Sequence, residues 1–375
     1  MIKILFCIPT LSGGGAERVL TNLVNHLDNK KYDITVCTLF NSGKYKDELA
    51  SNINYKYIFK KPFKGNSRIF QLFPPKFLFK RFIKEHYDII VSYLESPFMR
   101  IVSGCDDRST KLISWTHSEM IDGNELLTCF RNKDERLNCY LAFDKNIFVS
   151  KTVMDSTLKY IPLKNCQVLY NIVESDVIVE KSKEKIDDFT FDKNKINLIS
   201  VGRFVNAKGY PRLLNIVKRL KDDGFDISLT LLGDGEEKSK LEKIILENEL
   251  SDDVSLIGFK ENPYKYVKGA DLFVCSSLIE GFSTAVSESL IVGTPVITTR
   301  CSGMDEILGH GKYGIITDND EKSLYILNIN ILSDDGELER LKDLAIVRGK
   351  YFDMNKNLEE TEKMFDSVLE NTNAE

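Results

Sequence analysis

Two acidic residues eight positions apart, Glu280 and Glu288, enclose the stretch Gly281-Phe282-Ser283-Thr284-Ala285-Val286-Ser287. An apolar run at 272–275 comes shortly before them, and residues 285–291 fit a helix. The backbone N–H groups of Gly281, Phe282, Ser283 and Thr284 would stand at the start of that helix, where amides lack intrahelical partners and favour an anion. Glu288 falls just over one turn in, where side chains lean back toward the N-terminal end. Two carboxylates around a phosphate-shaped hole can accept sugar or ribose hydroxyls and can stabilise developing positive charge. Either Glu alone is as readily a solvated helix residue; the pair in this setting points to chemistry.

Another apolar run, 196–201, gives way to Gly202-Arg203-Phe204-Val205-Asn206-Ala207-Lys208-Gly209. Arg offers phosphate oxygens a planar fork and Lys a point charge, so a diphosphate would use both Arg203 and Lys208. The plainer reading is a surface pair on a loop. Leu232-Gly233-Asp234-Gly235 is a further turn at a strand end, weak by itself. Near the start, Ser12-Gly13-Gly14-Gly15-Ala16-Glu17-Arg18 joins a strand to a helix. Its glycines let backbone approach a ligand closely, although a tight turn alone would use them too. It is neither the dinucleotide fingerprint, since Arg18 stands at the third glycine position, nor a P-loop, since no Gly-Lys-Ser/Thr follows. Ser114-Trp115-Thr116-His117-Ser118 ends another strand and holds the only Trp and one of four His. A His there can bond a ligand hydroxyl or phosphate, or be a satisfied surface residue.

These positions sit at the ends of strands in an alternating pattern. Strands are expected at 2–9, 34–40, 89–93, 112–116, 145–149 and 167–170, with helices at 16–27, 77–86 and, capped by Ser150, up to about 160. A crossover at 171–174 and a charged, loop-like segment at 180–195 follow. The pattern then restarts, with strands at 196–201, 227–232, 254–257, 272–275 and 296–298. Helices are expected at 210–222, 236–248, 263–268, 285–291, 324–332, 336–348 and 357–371. The class is α/β, with two doubly wound, Rossmann-like parallel sheets. Ligands in such sheets sit at the carboxyl ends of strands, and the cleft between two tandem sheets is the default site.

Composition agrees with a globular, folded chain. The 375 residues are 42% hydrophobic and 29% charged, which excludes global disorder and collagen-like repeats. No apolar run reaches about 18 residues, so no membrane span is expected. The apolar start, 2–11, runs into a Gly-rich turn without a small-residue cleavage site and reads as a strand rather than a signal peptide. Eight cysteines form no C-x-x-C pair and have no His at zinc spacing, the usage of reduced thiols in a cytosolic protein.

Charge divides the chain. The first 175 residues carry 25 basic and 18 acidic side chains, and the remainder carry 26 and 38. Nine basic residues fall within 55–84: Lys56, Lys60, Lys61, Lys64, Arg68, Lys76, Lys80, Arg81 and Lys84. They alternate with Tyr and Phe and meet no acid before Glu85. Basic residues beside aromatics suit an anionic membrane surface. The alternative is a solvated basic loop and helix whose Phe residues face the core. Nucleic acid is not expected as a partner of a chain that is acidic overall, at net −5.

Taken in order over roughly residues 2–310, the motifs resemble the retaining glycosyltransferases of family 4, which have the GT-B fold. Gly14-Gly15-Ala16-Glu17 is similar to that family's Gly-rich loop, Gly202-Arg203 with Lys208-Gly209 to its diphosphate-binding pair, and Glu280 with Glu288 to its E-x7-E signature. Gly233-Asp234-Gly235 and Ile257-Gly258-Phe259 fall where similar proteins have a Gly turn and a nucleobase contact. The chain departs from the commonest pattern at Cys301-Ser302-Gly303-Met304-Asp305-Glu306, where many relatives carry two glycines.

The resemblance implies two Rossmann-like domains facing across a cleft. An acceptor-binding domain would span 1–172, with a last helix at about 357–375 packing back on it, and a nucleotide-sugar-binding domain would span 176–356. Arg203 and Lys208 would hold the donor diphosphate, with Gly14 and Gly15 letting the first domain close on it. Gly281, Phe282, Ser283 and Thr284 would contact sugar and phosphate through their backbone, Glu288 the ribose, and Gly258 and Phe259 the base. Glu280 and His117 would be the catalytic contacts to the donor sugar. The donor is expected to be UDP-galactose, UDP-N-acetylgalactosamine or UDP-N-acetylglucosamine, acting as co-substrate without a metal or other cofactor. The acceptor would be a lipid-linked sugar or polysaccharide, as in capsule or O-antigen assembly. The enzyme would sit in the cytoplasm, peripheral on the inner face of the cell membrane, with residues 55–84 on the anionic lipid. Two alternatives stay open: a non-hydrolysing nucleotide-sugar epimerase, and a non-catalytic sugar-nucleotide-binding subunit.

Overall fold

The computed structural model describes residues 1–12, 14–62, 66–124 and 127–370. Contacts divide the chain into two units: Met1–Ile172 together with the chain from Asn355 onward, and Val173–Met354.

The first unit is built on β1 (Ile2–Ile8), β2 (Tyr32–Phe40), β3 (Asn54–Phe59), β4 (Ile89–Tyr93), β5 (Lys111–Thr116), β6 (Lys145–Phe148) and β7 (Cys166–Val168). They pair in parallel in the order β3-β2-β1-β4-β5-β6-β7. The winding reverses between β1 and β4, the place where doubly wound sheets open a crevice. Ile4, Phe6, Ile8 and Cys7 are all buried, so β1 is covered on both faces, as central parallel strands are. The helix Met354–Glu370 supplies part of that cover. Its Phe365 meets Phe6 and Tyr32 edge-on at 6.2 and 5.9 Å, and Asp366 pairs with Lys31 at 2.8 Å.

The second unit holds β8 (Ile196–Val201), β9 (Ile227–Leu232), β10 (Val254–Gly258), β11 (Leu272–Cys275), β12 (Val296–Thr299) and β13 (Ile315–Thr317). All pair in parallel in the order β10-β9-β8-β11-β12-β13, with the reversal between β8 and β11. The helix Tyr210–Asp222 returns over this sheet. Leu213, Leu214, Ile216, Val217 and Leu220 form its buried stripe at three- and four-residue spacing. Pro211 is tolerated in its first turn, where the missing N–H has no helical partner to lose.

Several elements differ from expectation. β3 lies inside the basic aromatic stretch, whose alternating Lys and Tyr hide an edge strand. The helix expected over 77–86 begins at Pro75 and ends at Phe82. The helices Pro97–Val102, Lys133–Leu141 and Ser175–Lys181 were not anticipated. In Pro97–Val102 every residue from Phe98 to Val102 is buried, so no polar face marks a period. Its Arg100 is fully buried, paired with Glu135 at 2.8 Å and bonded to the Phe70 carbonyl.

Candidate active site at the strand ends

In the second unit the segments leaving β8 and β11, neighbours at the reversal point, are tied together. After Val201 the chain makes a single tight turn, Asn206–Lys208, ended by Gly209 in the left-handed region at φ +64°. Ala207 accepts the amide of Leu278 at 2.7 Å, and the Lys208 carbonyl accepts the Ser276 hydroxyl at 2.9 Å. These bonds bring Lys208 and Glu280 together, with Nζ to Oε1 at 2.6 Å. The Ser277 hydroxyl donates to the same carboxylate oxygen at 2.6 Å. Burial works against the Lys208 ammonium, but the charge and hydrogen bond of Glu280, with Tyr210 and Cys275, together outweigh it and lift the Lys208 pKa above its usual value. The pair remains open to a ligand: the two side chains are 23% and 11% exposed. Arg203 is exposed on the same segment as Lys208.

Gly281 and Phe282 are half-buried and Ser283 is buried, leading into the helix Thr284–Ile291. Ser283 makes no side-chain cap, so a hydroxyl of its own does not close the helix start. Glu288 is the fifth residue of that helix and half-buried. The segment where many relatives carry two glycines keeps one that matters. Gly303 has φ +78°, and a Cβ there would come within 2.6 Å of the Gly281 carbonyl, so this loop backs the helix start. Beside it, the Cys301 thiol donates to the Ser277 carbonyl at 3.0 Å. Gly258 leaves β10 at φ +74° and accepts the Gly233 amide at 3.0 Å, with Phe259 next to it 52% exposed. Arg203, Lys208, Gly258, Phe259, Glu280 to Thr284 and Glu288 thus follow carboxyl ends of strands in one sheet.

Two residues of this unit were missed. Arg212 donates to the Ser276 carbonyl through Nε at 2.8 Å and Nη2 at 2.6 Å. Its Nη2 also reaches the Ser277 carbonyl at 2.7 Å and Asn319 Oδ1 at 2.8 Å. The Asn319 amide in turn donates to the carbonyls of Leu278 at 2.9 Å and Arg300 at 3.2 Å. Arg212 and Asn319 therefore fix the segment that carries Glu280. A signal existed: Arg212 stands in a helix first turn, where the dipole disfavours a cation, so a tertiary partner was due. Next to Asn319, Asp320 caps the helix Glu321–Leu332, its carboxylate accepting the Ser323 amide at 2.8 Å.

In the first unit Gly14 is buried and precedes the helix Gly15–His26, and Gly15 is exposed. A Cβ on Gly14 would lie 2.2 Å from Glu17 Oε2. Gly13 falls outside the described residues. His117 follows β5 and is buried, its ring centroid 4.5 Å from that of Tyr93. Burial pushes its pKa down to about 3, so the ring is neutral at ordinary pH. It can exchange a hydrogen bond with a ligand but is not a standing cation. Among the described residues no group of three or more His, Cys, Asp or Glu could hold a metal ion.

Each unit is a parallel α/β sheet with glycine turns at its strand ends, and the second adds a cation–carboxylate pair beside a helix start, the class of fold and site that holds an anionic ligand at strand ends. Residues 13–177 match the family described as Glycosyltransferase Family 4, and residues 181–345 that described as Glycosyl transferases group 1. The chain belongs to the family 4 type of glycosyltransferase, with the GT-B fold. It is 33% identical over 195 residues to the N-acetylgalactosamine-N,N'-diacetylbacillosaminyl-diphospho-undecaprenol 4-alpha-N-acetylgalactosaminyltransferase of Campylobacter jejuni. That match covers 52% of this chain and 51% of the relative, so the chain spans about half the length of that curated relative. It is 26% identical to the amylovoran biosynthesis glycosyltransferase AmsD of Erwinia amylovora, over 88% of this chain and 90% of the relative. The structure of Anabaena HepE in complex with UDP and glucose aligns at TM-score 0.79 and 18% identity, covering 98% of this chain and 100% of that one.

Proposed function

We propose that the chain is a retaining hexosyltransferase. It would move galactose, N-acetylgalactosamine or N-acetylglucosamine from a UDP-sugar to a hydroxyl of a lipid-linked or polysaccharide acceptor in bacterial glycan assembly. The observation that carries this reading is the Lys208–Glu280 pair beside the start of the helix Thr284–Ile291. Lys208 and Arg203 hold the diphosphate and stabilise it as it leaves, which is the work of cations at a departing phosphate. The backbone of Gly281 to Thr284 contacts sugar and phosphate, Glu288 the ribose, and Gly258 with Phe259 the base. Gly14 and Gly15 serve the phosphates, and neutral His117 bonds the sugar. Glu280 aligns the sugar near the reacting carbon. Attack on the same face, with a donor phosphate oxygen taking the acceptor proton, retains configuration without a dedicated base. The Campylobacter relative is named for a diphospho-undecaprenol acceptor, and UDP is bound in the Anabaena neighbour; both fit this reading.

A thermal-shift panel of UDP, GDP and ADP, with and without EDTA, tests it. A ligand that binds the folded state stabilises it by about 2.7 kcal/mol at a hundredfold excess over Kd and so raises the midpoint. UDP alone should give the shift, and EDTA should leave it unchanged. A shift with GDP or ADP instead, or with no nucleotide, would overturn the donor assignment.

The reading places the enzyme at the inner membrane face through residues 55–84. Phe59, Phe70, Phe79 and Phe82 pack in or against the core. Ile69, Leu72, Phe73 and Phe77 are instead exposed, with Phe73 stacked on Phe77 at 5.0 Å. Arg68, Lys76, Lys80 and Arg81 are exposed among them. Phe63 and Lys64 lie outside the described residues. Among the described residues no helix is long and apolar enough to cross a membrane. A basic side chain near an anionic leaflet is worth about 1 kcal/mol. Changing Arg68, Lys76, Lys80 and Arg81 to Gln should therefore weaken co-sedimentation with phosphatidylglycerol vesicles by at least about tenfold. Unchanged binding would remove the docking surface from the proposal.

A further inference from the structure

We propose that Glu95 is a positioning residue: its carboxylate pins the turn leaving β5 and so seats the His117 ring against Tyr93. Glu95 stands two residues beyond β4. Its Oε1 accepts the backbone N–H of His117 at 3.1 Å and of Ser118 at 2.7 Å. Two consecutive amides on one oxygen leave the turn little freedom. The chain is strained to place that oxygen. Leu94 lies in the left-handed region at φ +77°, its backbone N–H donating to the Trp115 carbonyl at 3.1 Å. The strand ends β4 and β5 are thus locked by Leu94 in one direction and Glu95 in the other.

What this lock presents is unusual for a core. Tyr93, Trp115 and His117 touch through their rings, with Tyr93 to Trp115 at 5.2 Å and Tyr93 to His117 at 4.5 Å. Tyr93 Oη, Trp115 Nε1 and His117 Nε2 are buried without a hydrogen-bond partner. A buried polar atom left unpaired costs stability, so three of them on rings that meet at Tyr93 point to a polar ligand group that completes them. A carboxylate is also a costly choice for the lock. Burial raises the Glu95 pKa, opposed by the amides of His117, Glu95 itself and Ser118. Among the charged and titratable groups near the turn, Tyr93 feels Glu17 of the helix Gly15–His26, and Tyr140 of the helix Lys133–Leu141 feels Glu95, Arg136 and Cys129.

The consequence for turnover rests on the proposed role of His117, whereas the geometry does not. The experiment therefore reads both. The chain has four histidines, so imidazole 15N signals are few, and His117→Gln assigns the one in question. Glu95→Gln keeps an oxygen acceptor and should leave the His117 signal, its titration and kcat within about twofold of wild type. Glu95→Ala removes the acceptor, and Glu95→Asp withdraws it by one methylene. Both should let the His117 ring titrate at higher pH. They should lower kcat at least about tenfold, with donor KM within about threefold. Turnover is followed as UDP release from whichever of UDP-galactose, UDP-N-acetylgalactosamine and UDP-N-acetylglucosamine the wild type uses. An unchanged His117 titration in Glu95→Ala and Glu95→Asp overturns the proposal. So does a Glu95→Gln variant that behaves like Glu95→Ala, because charge rather than the acceptor would then be at work. A moved His117 signal with full turnover, in these variants and in His117→Gln alike, leaves the positioning role standing and removes the catalytic reading of His117.

Discussion

Glu280→Gln should lower kcat by roughly a hundredfold to a thousandfold, with UDP-sugar KM within about threefold of wild type, if the proposed role holds. The expected size is that of removing one preorganised electrostatic contact to a reacting centre. The pattern follows from where the charge is needed. A carboxylate beside the sugar does little for a neutral ground state and much for a ring that becomes positive as the diphosphate leaves. Gln is the cleaner variant because its amide oxygen can still accept the Ser277 hydroxyl that now bonds Glu280 at 2.6 Å. Glu280→Ala would leave the Lys208 ammonium, only 23% exposed, without its partner and would confound catalysis with stability. The measurement is steady-state kcat and KM, with the melting midpoint as control. Weaker donor binding with full turnover at saturation would show that Glu280 only binds.

The same pair shows why some of this site could be read before the fold was known. β11 is a continuous apolar run and β8 is broken only by Asn197 and Ser200, because both are covered on both faces, and Gly202 and Gly281 punctuate the segments that leave them. Strand ends, and hence Arg203, Lys208, Glu280 and the helix start at Thr284, were legible from local pattern alone. β3 was not, because it is an edge strand whose Lys and Tyr alternate as a surface does. β13 is three residues long, shorter than any period can mark. Arg212, Asn319 and Glu95 were missed for a different reason. Each acts on backbone groups far away in the chain: Arg212 on carbonyls 64 and 65 residues on, Glu95 on amides 22 and 23 residues on. No spacing rule encodes such a partner. Only Arg212 left a trace, as a cation at the wrong end of a helix. What sequence pattern displays is the group that meets a ligand at a strand end; what it hides is the group that holds that end still.

Lys208→Ala should weaken UDP binding about 30-fold to 150-fold, the loss expected for one charge-assisted contact to a phosphate. Calorimetric titration with UDP alone measures this without any assumption about acceptor or sugar. Two further results separate a ligand-binding role from a purely structural one. First, Glu280 raises the Lys208 pKa, so the ammonium is held in the folded state. The stability it contributes is fully present below the unfolded lysine value near 10.4 and is lost only as pH rises through the higher folded value. UDP affinity should accordingly show no decline assignable to Lys208 up to about pH 9, the whole range below that unfolded value. Second, Lys208→Ala leaves Glu280, 11% exposed, as an unpaired carboxylate, and the melting midpoint should fall. Adding Glu280→Gln should recover most of that stability, because contacting residues are energetically coupled, but none of the UDP affinity. Recovery of both would mean that Lys208 acts only by holding Glu280, and the diphosphate would then rest on Arg203 and the helix start.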